Sequence, residues 1–136
     1  MNFIRLRHVL LAVCAVIACA LPVLSQQQSY IELRTYQCSS VAARDTLLAV
    51  FDSALIPALN RQGVKQVGVY ASSAALNKER REYDTMLFTV AVYPALDAFA
   101  TSEKKLLNDP EYMRAAAAIF KAPVDAPLYD SCRSAL

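Results

Sequence analysis

The sequence predicts one small α+β domain built in the order strand, helix, strand, strand, helix, strand. Three observations carry that expectation. Residues 30–36 alternate in side-chain character like a β-strand. Leu47, Leu48, Phe51, Leu55 and Leu59 then recur at helical spacing. Asn108-Asp109-Pro110-Glu111-Tyr112 reads as a helix start, with Asp109 at the N-cap, Pro110 at the first helical position and Glu111 in the first turn.

Residues 1–25 read as an address that is removed before folding. Arg5, Arg7 and His8 form a basic head, an apolar run extends from Val9 to Leu21, Pro22 breaks it, and Ser25 precedes the expected cut. The apolar run is too short for a comfortable membrane span, so stable membrane insertion after cleavage is not expected. The expected location is secreted or periplasmic. The alternative is processing at Cys19, where Val16-Ile17-Ala18-Cys19 resembles a lipobox and leads to a lipid anchor.

Residues 26–136 suffice for a single domain and no more. Arg5 and Arg7 account for the +2 formal charge of the whole chain, so acids and bases balance in the rest. Lys78-Glu79-Arg80-Arg81-Glu82 mixes signs and reads as a solvated turn, so no nucleic acid partner is expected. The sole histidine, His8, lies in the leader. Its loss removes Ser-His-Asp and Cys-His chemistry and argues against a metal centre, and no cofactor is expected. Cys14 and Cys19 leave with the same segment; Cys38 and Cys132 remain, and in an oxidising compartment they form a candidate disulfide.

The opening strand places Ile31, Leu33 and Thr35 on one side, expected to face the core. Tyr30, Glu32, Arg34 and Tyr36 fall on the other, a charged and aromatic face that suits a second subunit or a ligand. Ser39 and Ser40 are natural N-caps for the first helix, Pro57 should kink or divide it, and Gly63 should stop it. Val64–Ala71 reads as a second strand with Gln66, Gly68 and Tyr70 on one side. Residues 83–93 make a third strand, apolar on both faces and therefore central, with Thr85 and Thr89 on its more polar side. Pro94 ends that strand, a helix begins near Ala95, another runs from Asp109 to Phe120, and residues 128–133 form a short last strand. This order is a split βαβ pair, the ferredoxin-like arrangement, with helices on one face of the sheet and the other left bare.

These residues resemble the NIPSNAP family of dimeric α/β barrels. Tyr30-Ile31-Glu32-Leu33-Arg34-Thr35-Tyr36 is similar to the family's first strand, and Ile56-Pro57-Ala58-Leu59 with Gly63-Val64-Lys65-Gln66-Val67-Gly68 to its helix end and second strand. Asn108-Asp109-Pro110-Glu111-Tyr112 resembles an Asp-Pro-Glu-Trp segment, with Tyr112 standing where the family often has Trp. The resemblance covers almost all of residues 26–136. It implies a homodimer pairing sheet to sheet, with a cavity inside the joint barrel. Related dimeric barrels host cofactor-free oxygenases, isomerases, haem-degrading enzymes or simple ligand binding.

Six residues are candidates for that cavity, and each has a plainer competitor. Glu32 and Arg34, two apart on one strand, suit a polar ligand, or else pair with each other or across a dimer. Tyr36 and Tyr70 suit hydrogen bonding or stacking, or else anchor an interface. Thr85 and Thr89 add hydroxyls but are ordinary strand residues, and Gly68 marks a close backbone approach or a tolerated small residue. The first and last strands are antiparallel neighbours in this topology, which makes a Cys38–Cys132 bridge geometrically reasonable; two free thiols are the competing reading. Two functions fit. One is a non-catalytic dimer that binds a small apolar or amphipathic molecule, or a partner. The alternative is a cofactor-independent monooxygenase or isomerase in which Arg34 and Tyr36 polarise an aromatic or enolic substrate.

Overall fold

The computed structural model describes residues 28–72 and 83–136. The leader, Cys14, Cys19 and the charged turn at 78–82 lie outside the described residues. Four strands form one antiparallel sheet in the order β2-β3-β1-β4, where β1 is Tyr30–Cys38, β2 Gln66–Ala71, β3 Met86–Tyr93 and β4 Tyr129–Ala135. The helices are α1 (Val41–Val50), α2 (Ile56–Arg61), α3 (Leu96–Leu107), α4 (Pro110–Ala115) and α5 (Ala117–Phe120). They pack against one face of the sheet, as the ferredoxin-like order requires. None of the described helices is long and apolar enough to cross a membrane.

The punctuation residues act largely as the sequence indicates. Ser40 caps α1 by accepting from the Ala43 amide at 3.1 Å. Asp109 caps α4, accepting from the amides of Glu111 and Tyr112 at 2.9 and 3.1 Å. Gly63, at φ +90°, supplies the left-handed residue that stops α2. The expected division of the first helix at Pro57 takes a particular form: a π-helical turn at Phe51–Leu55 separates α1 from α2, and Pro57 sits in the first turn of α2. Proline lacks an N–H and its ring crowds the carbonyl four residues back, so the ladder is disturbed here. The Ile56 amide bonds to Phe51, five residues earlier, and the chain continues as a helix. This wide turn carries Phe51, Ala54 and Leu55 into the core.

The core lies between sheet and helices and includes Leu47, Ala58, Val64, Leu87 and Tyr93, all essentially inaccessible. A fully buried leucine or valine stabilises the fold by roughly 1.5–3 kcal/mol. Two sequence expectations are overturned here. First, β1 is the other way up: Glu32, Tyr36 and Cys38 are buried beneath the helices, whereas Ile31 is 58% and Leu33 43% exposed on the bare face. The reason lies across the strand pair. Glu32 stands opposite Ala91 and Arg34 opposite Thr89, short neighbours that leave room for long polar side chains. Second, Cys38 and Cys132 are free thiols. Cys38 pairs with Tyr129 and Cys132 with Tyr36, across an irregularity at Gln37/Cys38, so the cysteines are diagonal neighbours. Diagonal Cα atoms lie about 7–8 Å apart, beyond ordinary disulfide reach.

Candidate functional site

Beneath the helices, Glu32 organises a buried polar network. Its Oε1 accepts from Arg34 Nε at 2.6 Å and from Ser134 Oγ at 2.7 Å, and its Oε2 accepts from the Tyr93 hydroxyl at 3.1 Å. Ser102 Oγ lies 3.4 Å from the Tyr93 oxygen. Tyr93 has a single proton, so the chain of donation runs from Ser102 to Tyr93 to Glu32. Three strands and α3 therefore converge on one carboxylate. The network links β1 and β4 through Ser134, and the sheet to α3 through Tyr93 and Ser102.

Arg34 joins this network to a cavity of about 150 Å³. The floor is the sheet, at Arg34, Tyr36 and Tyr129. The walls are the π-turn residues Phe51 and Leu55, Leu106 of α3 and Tyr112 of α4; Glu103, Leu107 and Phe120 stand at the rim. The Tyr36 ring meets Phe51 and Tyr129 edge to face, at centroid separations of 5.0 and 5.3 Å, and Tyr112 meets Phe120 at 6.1 Å. A second, much smaller cavity of about 10 Å³ reaches from Arg34 to Glu32, Thr89 and Tyr93.

Burial opposes the charge of Arg34, but its hydrogen bond to Glu32, the neighbouring Tyr36 and the Glu32 charge together outweigh that, so its pKa lies above that of an ordinary arginine. Burial, reinforced by the Cys132 thiol, pushes the Tyr36 hydroxyl well up, against the pull of Arg34. Burial also raises Tyr93 and Tyr112. The site thus presents a fixed cation and protonated phenols: hydrogen-bond donors facing an aromatic chamber. Among the described residues no cluster of His, Cys, Asp and Glu is arranged to hold a metal ion.

Of the six sequence candidates, Glu32, Arg34, Tyr36 and Thr89 share this side of the sheet. Tyr70 and Thr85 do not join them. Tyr70 is 59% exposed on the bare face, its ring lying over Gly68 so closely that a Cβ there would meet the hydroxyl at 2.5 Å. Thr85 precedes β3 and accepts from Gln37 Nε2 at 2.6 Å. Gly68 is therefore a close approach by a side chain. The sequence reading passed over Tyr93, Ser102 and Ser134. Tyr93 shares side-chain parity with Thr89 and Ala91, a signal in plain view; Ser102 sits mid-helix and Ser134 beyond the expected strand end, with no signal of their own.

The fold and site define a ferredoxin-like α+β domain with a polar-floored chamber between sheet and helices. Its architecture is that of solved NIPSNAP family proteins. One of unknown function from Agrobacterium tumefaciens strain C58 superposes with a TM-score of 0.59 at 16% identity, over 81% of this chain and 86% of that one. A second from the same strain gives 0.57 at 15% identity, over 81% and 84%. A dimeric ferredoxin-like protein from an uncultured marine organism gives 0.51 at 7% identity, over 79% and 84%. At these identities the likeness establishes the fold. No protein-family model and no curated protein matches the sequence.

Proposed function

We propose that the chain is a NIPSNAP-like, non-catalytic binding domain that works as a homodimer, exported after removal of residues 1–25, and holds a small molecule in the chamber above Arg34. The observation that carries the binding reading is the Glu32–Arg34 pair at 2.6 Å, which fixes a guanidinium in the floor of an aromatic cavity. A guanidinium has five N–H donors, and Glu32 and Tyr36 cannot engage them all. The raised pKa values of Tyr36 and Tyr112 favour binding over chemistry, because phenols held protonated donate hydrogen bonds and make poor general bases.

Pairing of two sheets is supported by the bare face, where Ile31, Leu33 and Tyr70 are exposed beside the half-buried Phe88, Val90 and Val92. A contiguous apolar sheet face of this kind marks an interface. A dimeric ferredoxin-like protein of the same topology agrees with that reading. Sheet-to-sheet contact would leave each chamber within its own protomer, on the far side of its sheet from the partner. Native mass spectrometry of protein purified from its own host tests both parts. The expected spectrum shows a dimer beginning near Gln26 and releasing a small molecule on activation. A monomer empty under gentle conditions, with no molecule recovered by extraction, would refute the proposal.

A further inference from the structure

The chamber has an unusual polarity gradient. Its floor is polar, at the buried Tyr36 and the part-buried Arg34; its walls are the buried Phe51, Leu55, Leu106 and Tyr112; and its rim carries Glu103 beside the apolar Leu107 and Phe120, 54% and 46% exposed. A carrier for a hydrocarbon tail would normally bury an apolar end and leave the polar end wet. Here the order is reversed. We infer that the ligand is an uncharged, ring-headed amphiphile that enters head first: an acceptor oxygen on the ring meets Arg34 and Tyr36, and its hydrocarbon tail leaves across Leu107 and Phe120. The inference rests on the chamber being a binding site.

Charge and size select the head. Arg34 is already paired with Glu32 at 2.6 Å, and Glu103 stands at the rim, so an anionic head meets net negative charge on its way in. A cationic head has only donors to offer, and so leaves the remaining N–H groups of Arg34 unsatisfied. A neutral carbonyl or hydroxyl oxygen meets neither penalty and satisfies the remaining donors. A chamber of about 150 Å³ accommodates a six-membered ring, as a dry protein cavity of that size does for benzene. A tail of any length must then protrude, and the first apolar surfaces it reaches are Leu107 and Phe120, side chains otherwise left in water.

A series of acetophenones bearing no chain, then 4-ethyl, 4-butyl and 4-hexyl chains, tests this against the full-length processed protein by ligand titration and NMR. Affinity should rise about twofold per methylene, half the effect of full burial, because the rim covers the tail on one side. The Leu107→Ser variant, altered at an exposed rim position, should flatten the series, removing most of the gain per methylene. Intermolecular NOEs should join the chain's terminal methyl to Leu107 and the acetyl methyl to Leu55. Equal binding across the series, or NOEs from the chain terminus to Leu55, would overturn head-first entry, and tighter binding of 4-butylbenzoate than of the matched ketone would overturn the uncharged head; each leaves the chamber a binding site. If no member bound, the binding reading and this inference would fall together.

Discussion

The two faces of the sheet make opposite use of the same strands. On the covered face, β1 contributes Glu32, Arg34 and Tyr36 to a hydrogen-bonded network. On the bare face the intervening residues of the same strand, Ile31 and Leu33, are exposed. The covered face is thus the more polar of the two in β1, because its polar groups satisfy one another there. The bare face is apolar at Ile31, Leu33, Phe88, Val90 and Val92, and no described helix covers it. Burial in this protein follows from partner groups and available volume, and hydrophobicity residue by residue does not reveal it.

The sharpest way to break that comparison is Arg34→Met. It leaves Glu32 buried with two neutral donors in place of three partners, and should cost about 3 kcal/mol in urea unfolding. Replacing both members, as Glu32→Leu with Arg34→Met, should recover at least half of that loss. On the other face, Leu33→Lys tests the proposed dimer: it should weaken that association about 100-fold, ~2.7 kcal/mol, by sedimentation. It should change the protomer's own stability by no more than about 0.5 kcal/mol.

Tyr93→Phe removes a donor from Glu32 and an acceptor from Ser102, and should cost about 1 kcal/mol. A pH profile sharpens the same point. Tyr36 and Tyr93 have pKa values raised above the ordinary 10.0, so the native state holds its phenolic protons after the unfolded chain has begun to lose them. Their contribution is complete below pH 10 and is lost as pH rises through the folded-state values, so wild-type stability should fall above pH 10 and fall less steeply in Tyr36→Phe. The smallest effect should be Gly68→Ala on the bare face. The group a new methyl would strike is the free end of an exposed Tyr70 ring, which can swing away, so the change should stay within about 0.5 kcal/mol.

The fold was legible because its signals are local. Ser40, Asp109-Pro110 and Gly63 act within a turn of themselves, and the alternation of β2 and β3 separates each strand's two sets of side chains without saying which set the helices cover. The π turn escaped because Pro57 announces a disturbed helix without saying how the chain absorbs it. The site was legible as a set of residues but not as a place. Glu32, Arg34, Tyr36 and Thr89 were singled out, yet assigned to the bare side, since one strand's pattern cannot say which face its helices will cover. Deciding that needs the cross-strand register, in which Ala91 and Thr89 make room for Glu32 and Arg34. Likewise, antiparallel neighbours made a Cys38–Cys132 bridge reasonable, and only the two-residue offset of their pairings separates the thiols.

Side-chain NMR of Arg34 tests the assignment of the two faces most directly, because its guanidinium belongs to one of them. NOEs from the Arg34 Nε–H and methylenes to the methyls of Leu55 and Leu106 place the network beneath the helices, as described here. NOEs from the same protons to the methyls of Val90 and Val92 would put Arg34 on the bare face and contradict the account.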